Sequence, residues 1–81
     1  MKIIWDENKR ISNLAKHGLD FADLTLEFFA AAEFGRVKHG RLVAVGELDG
    51  RQVIAVIFRP LGMEAISVVS MRPASKRERK Q

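Results

Sequence analysis

The sequence contains no cysteine and only two histidines. Without thiols there is no disulfide framework and no thiolate nucleophile, and His17 and His39 do not form a zinc-ligand spacing. No metal or cofactor is expected, and a reducing cytoplasm is compatible with this composition. Long apolar runs are missing too: nothing approaches the roughly 20 residues a membrane span requires. The opening "MKIIWDENKR" turns charged before a secretory apolar segment could form. The chain therefore reads as soluble and unprocessed, without a membrane partner. No repeat, linker or low-complexity block divides it. A single domain over residues 1–81 is expected, with a small core.

What the sequence has in excess is positive charge. Fourteen Lys and Arg against ten Asp and Glu give a net charge of +4. Such a surface attracts polyanions over a Debye length, so nucleic acid or an acidic protein is the favoured class of partner. At 47% hydrophobic residues the chain can still bury a core.

The pattern along the chain changes once. "KIIWD" reads as a short strand or lead-in, and Asp6 can cap a helix over Glu7–His17 that ends at Gly18. Ile11, Leu14 and Ala15 share one face of that helix and are expected to point inward. Asp20 repeats the capping signal, so "FADLTLEFFAAA" predicts a second helix burying Phe21, Leu24 and Phe28. From Glu33 onward β-branched residues and Gly turns predict strands near Glu33–Lys38, Leu42–Leu48, Gln52–Phe58 and Ala65–Ser70, joined as a meander. Asp49–Gly50 is the clearest hairpin signal, and Pro60 reads as a turn between strands. Ser75 and Glu78 stand at capping-box spacing and predict a short basic helix. The fold class is α+β: two N-terminal helices packed on an antiparallel β-sheet meander, with a short C-terminal basic helix.

Three separated segments carry a family resemblance. "WDENKRISNLAKHGLDF" (Trp5–Phe21) resembles the opening Trp-Asp-x-x-Lys-x-x-x-Asn-x-x-Lys-His-Gly-x-x-Phe pattern of BrnT-type toxins. "RLVAVG" (Arg41–Gly46) continues the match, and "ISVVSMRPASKRER" (Ile66–Arg79) resembles that family's closing strand and basic helix. The resemblance implies a RelE-like ribonuclease of a bacterial type II toxin–antitoxin pair, neutralised by a BrnA-type ribbon-helix-helix antitoxin. It implies metal-independent cleavage of RNA through the substrate's own 2′-hydroxyl, inhibiting translation and growth. Operator DNA would be bound only through the antitoxin complex. Many members carry an Arg where this chain has Ser67, and Arg59 could supply that charge instead.

Cleavage through the 2′-hydroxyl needs a proton acceptor, cations around the phosphorane and a donor for the leaving oxygen. Arginine suits the cationic task because its planar fork pairs bidentately with phosphate. Arg59, Arg72 and Lys76 are the catalytic cations by this reasoning, with Arg77, Arg79 and Arg41 as phosphate contacts. Folding is expected to bring Arg59, Arg72, Lys76 and Arg77 onto one sheet edge. Glu78 has two readings, a general base or the partner of Ser75 in the cap. His17 likewise could move protons or simply terminate its helix. Lys80 completes the basic end. Trp5 and the five Phe residues, Phe34 among them, read as core, and Asn13 as a structural hydrogen-bonding residue. A second functional reading needs only the cations: a non-catalytic basic partner of an antitoxin that contributes to operator binding and autoregulation.

Overall fold

A computed structural model describes residues 1–79, so Lys80 lies outside the described residues. The "KIIW" lead-in is a true strand, β1 (Lys2–Trp5), and pairs in parallel with β5 (Ala65–Pro73). The meander β2 (Glu33–Arg36), β3 (Leu42–Leu48), β4 (Gln52–Leu61) and β5 is antiparallel, as its turn signals predict. The five-stranded sheet runs β1-β5-β4-β3-β2, which places β4 and β5 in its interior. No helix among the described residues is long and apolar enough to cross a membrane.

Local chemistry sets the element ends. Asp6 accepts from the Asn8 N–H (3.1 Å) at the start of α1 (Glu7–His17). Gly18 at φ 70° closes α1 by donating its N–H to the Leu14 carbonyl. Asp49 and Gly50 both take positive φ (55° and 66°), and the Arg51 N–H closes that turn on the Leu48 carbonyl. Pro60 is in β4 rather than in a turn. It lies past Phe58, the last β4 residue paired with β3, so it interrupts no ladder on that side. β4 and β5 therefore extend to Leu61 and Pro73, beyond the expected Phe58 and Ser70, while β2 stops at Arg36.

The second helix differs more. Asp20 caps only a 3₁₀ turn, Phe21–Asp23, and Leu24 is extended (ψ 141°). A separate helix α2 (Leu26–Ala31) then starts from Thr25, whose Oγ1 accepts from the Phe28 N–H. Phe21, Leu24, Phe28 and the adjacent Phe29 are all buried across this break. They meet Ala44, Ile54, Val56, Phe58, Ile66, Val68 and Met71 in the core. Gly46 permits this contact, because a Cβ there would lie 3.2 Å from the Phe28 ring and 3.4 Å from Ala32. Phe34, expected in the core, is 56% exposed.

The face of α1 is also reversed from expectation. Ile11 and Leu14 are 54% and 38% exposed, while the inward stripe is Arg10, Asn13 and His17. Arg10 bridges Glu7 and Asp20, tying α1 to the 3₁₀ turn. Asn13 is buried: its Nδ2 donates to the Leu19 carbonyl (3.2 Å), and its Oδ1 accepts from the Met71 N–H (3.1 Å). The last β1–β5 pair is Trp5 with Val68, so beyond it α1 flanks β5 in place of a strand.

One irregularity governs what β5 presents. Phe58 pairs with Val68 and Ile57 with Ser70, leaving Val69 as an extra residue, a β-bulge. Alternation restarts after it: Met71 is fully buried, while Ser70 and Arg72 lie on the opposite face of the sheet.

Asn13→Ala would strand a buried Met71 N–H and the Leu19 carbonyl, and is expected to cost about 2–4 kcal/mol of stability in urea unfolding. Ile11→Ala should stay within about 0.5 kcal/mol of the parent. Equal stability for both variants would contradict the assignment.

Candidate active site

A polar groove of about 510 Å³ runs between α1 and the exit of β5. Its α1 wall is Asn8, Lys9, Ser12, Asn13, Lys16 and His17; its β5 wall is Val69, Ser70 and Arg72. Lys9, Ser12, Asn13 and Lys16 recur at helical spacing, so a single face of α1 supplies them. No carboxylate lines the groove among the described residues. The site thus offers two lysines, one arginine, an imidazole and hydroxyls, a combination that attracts an anion.

Arg72 is oriented by the C-terminal segment. The Ala74 N–H donates to the Val53 carbonyl, and the chain turns into α3 (Lys76–Arg79). The capping box predicted for this helix forms: Ser75 Oγ accepts from the Glu78 N–H (3.2 Å), and Glu78 Oε1 accepts from the Ser75 N–H (2.8 Å). The same carboxylate grips the Arg72 fork at 2.8 and 3.1 Å. These hydrogen bonds from Arg72, with help from the Ser75 N–H, pull the Glu78 carboxyl down from 4.5 to about 2. A carboxylate so strongly ionised is a poor proton acceptor, so the geometry favours Glu78 as the residue that aims Arg72.

The other sequence candidates are placed as follows. Arg59 is exposed on β4 opposite Ser67, on the same face as Ala55, the partner of Arg72. Four residues of strand separate Arg59 from Ala55, about 13 Å. Arg41 directly precedes Leu42, the partner of Phe58, and so lies at the Arg59 end; it is half-buried, and its Nε has no hydrogen-bond partner. Lys76 and Arg77 are exposed on α3. Arg79 borders a separate cavity of about 340 Å³ that also contains Glu33 and Glu47, carboxylates that oppose phosphate binding there. The expected clustering on one sheet edge is therefore not what forms. Only Arg72 and His17 share the α1–β5 groove, and β4 and β5 are interior strands. Lys9 and Lys16 line the groove without being among the residues the sequence singles out. Their i, i+7 spacing with Ser12 and Asn13 between was a readable polar stripe, overshadowed by the apolar Ile11 and Leu14 beside it.

Comparison with known proteins agrees with this architecture. Residues 5–78 match the family model described as the ribonuclease toxin, BrnT, of type II toxin–antitoxin systems. The chain belongs to the BrnT family. The crystal structure of the Brucella abortus ribonuclease toxin BrnT is 62% identical in sequence, with a TM-score of 0.89, over 94% of this chain and 99% of that one. A search of curated proteins gives no match. BrnT membership makes this a ribonuclease toxin with RNA as substrate and an antitoxin as partner.

The Arg72–Glu78 clamp sets a pH expectation. Because the folded Glu78 value lies below 4.5, its contribution is fully present above about pH 4.5 and is lost as the pH falls through about 2. A carboxyl ¹³C titration of Glu78 should show a midpoint near 2 in the parent and nearer 4.5 in Arg72→Ala. A parent midpoint at the ordinary carboxylate value would dissolve the clamp.

Proposed function

We propose that this BrnT-family toxin cleaves RNA without a metal ion, in the groove between α1 and β5. The substrate 2′-oxygen attacks the adjacent phosphorus, forming a P–O2′ bond as the P–O5′ bond breaks. A proton leaves the 2′-hydroxyl and another reaches the departing 5′-oxygen. The observation that carries this reading is the meeting of His17 and Arg72 in one groove with Lys9 and Lys16 and without a lining carboxylate.

The roles follow from the chemistry of each group. Imidazole can accept and donate protons, so His17 serves the proton transfers. With Nη1 and Nη2 each giving one hydrogen to Glu78, which fixes its direction, Arg72 keeps the Nε–H and the second Nη2–H for the phosphorane oxygens. Lys9 and Lys16 hold the phosphate from the helix side. Arg59 and Arg41, displaced along the same sheet, suit flanking phosphates, while Lys76 and Arg77 extend the basic surface at the other end. In the cell this activity would act on cytoplasmic RNA and slow translation until a BrnA-type antitoxin neutralises it, with operator DNA reached through that complex.

Purified protein in EDTA should cut a defined RNA and leave a 2′,3′-cyclic phosphate, and a 2′-deoxy substitution at the cut site should abolish cleavage. Arg72→Ala is expected to lower the rate by about 10²–10³. His17→Ala should cost about 10²–10⁴. Lys16→Ala should weaken binding and flatten its salt dependence. Activity that disappears in EDTA, or that survives Arg72→Ala and His17→Ala unchanged, overturns the mechanism. A folded parent that never cuts RNA favours the non-catalytic partner.

A further inference from the structure

On the opposite face of the sheet lies a second groove of about 510 Å³, this one apolar. Leu26, Phe29 and Ala30 of α2 form one wall, with Phe34 of β2 and Phe58 and Pro60 of β4 completing it. It lies beside the first turns of α2, which has only six residues, about 9 Å of helix. Leu26 is left 44% exposed and Phe34 56% exposed. Phe34 is nevertheless held in place, edge-on to Phe58 with ring centroids 5.9 Å apart. Contiguous apolar surface of this kind marks an interaction site.

The surrounding charge indicates the occupant. Strand alternation puts Arg36 on the groove face with Phe34, and Lys38 lies in the adjoining β2–β3 turn; Arg41, just before Leu42, and Lys2 and Arg59, which alternate onto the other face, stand at the same end of the sheet. None of the five makes an ion pair among the described residues. Against these five cations stand two carboxylates near in sequence and register, Glu27 and Glu64, so this end of the sheet as a whole is positive, with Arg36 and Lys38 as its cations on the groove side. The lining is side chains on the sheet's face rather than the backbone of the free β2 edge, so it suits a helix better than an added strand.

We propose that this groove docks an amphipathic helix of the toxin's own antitoxin, with apolar anchors against Phe34 and Leu26 and acidic residues facing the cationic end. The proposal rests on the toxin–antitoxin reading. It places antitoxin docking on the face opposite Ser70 and Arg72, so loss of docking and loss of cleavage are separable.

The test is calorimetric binding of the purified antitoxin to the parent protein, Phe34→Asp, Leu26→Asp and a control, Ile11→Asp, with RNA cleavage measured in parallel. Leu26 is on an exposed helix position, so its variant keeps the test valid if the Phe34 variant is unstable. Both groove variants should bind about 30-fold or more weakly, the effect of losing an interface anchor, while cleaving RNA at the parent rate. Ile11→Asp should bind normally, and parent binding should weaken with added salt. Unchanged binding by both groove variants overturns the surface assignment. A parent that binds no antitoxin instead overturns the reading beneath it. Loss of cleavage in Leu26→Asp with normal folding would give the groove to RNA, and a parent dimer that Leu26→Asp dissociates would give it to a second copy.

Discussion

Asn13 holds the two halves of this protein together through one side-chain amide. Its Nδ2 reads the Leu19 carbonyl just after α1, and its Oδ1 reads the Met71 N–H in β5, 58 residues away. Past Val68, β5 has no strand on its outer side. A buried N–H there would otherwise lack an acceptor, a cost of about 1–3 kcal/mol. Asn13 acts as the next residue of β1 would, but from a helix. The position of α1 depends on that substitution, since α1 buries no large apolar side chain of its own. The α1–β5 groove is the space this arrangement leaves, with Lys9 and Lys16 brought beside Arg72 as a consequence.

The sheet separates two kinds of chemistry. One face gives cations and an imidazole, and the other gives aromatic and aliphatic surface. Arg72 shows how the cationic side is held ready. Glu78 offsets part of its charge while fixing its fork, and Glu78 is itself fixed by the cap with Ser75. A phosphate entering the groove would meet a guanidinium already oriented and partly desolvated. Glu7, Arg10 and Asp20 play a comparable part at the other end of α1, anchoring the helix that carries the lysines.

Sequence reading succeeds here where the signal is local. Asp6 and Gly18 bound α1, Asp49–Gly50 forms its turn, and Ser75 and Glu78 form their cap, because each depends on residues a few positions apart. The three segments resembling BrnT toxins were also readable directly, and the family is the one found. Non-local chemistry was not readable. Ile11 and Leu14 look like the buried side of α1, yet the inward stripe is Arg10, Asn13 and His17, whose partners include Asp20 and Met71. Arg59 and Arg72 look close across a hairpin, but the length of β4 keeps them apart. Phe34 looks like core because hydropathy does not reveal that it sits on an edge strand beside a helix of only six residues and stays 56% exposed.

The bulge at Val69 stores the sidedness of β5 as a count of residues. Ile66 and Val68 face the core before it, and Met71 does so after it. In unbroken alternation Ser70 and Arg72 would have shared the core face and Met71 would have pointed outward. Which side of the sheet receives the guanidinium is therefore decided by phase, independently of what side chain sits at position 69. Point substitutions can drift along this strand without moving the cation, whereas removal of one residue between Val68 and Met71 would reverse the address of everything downstream.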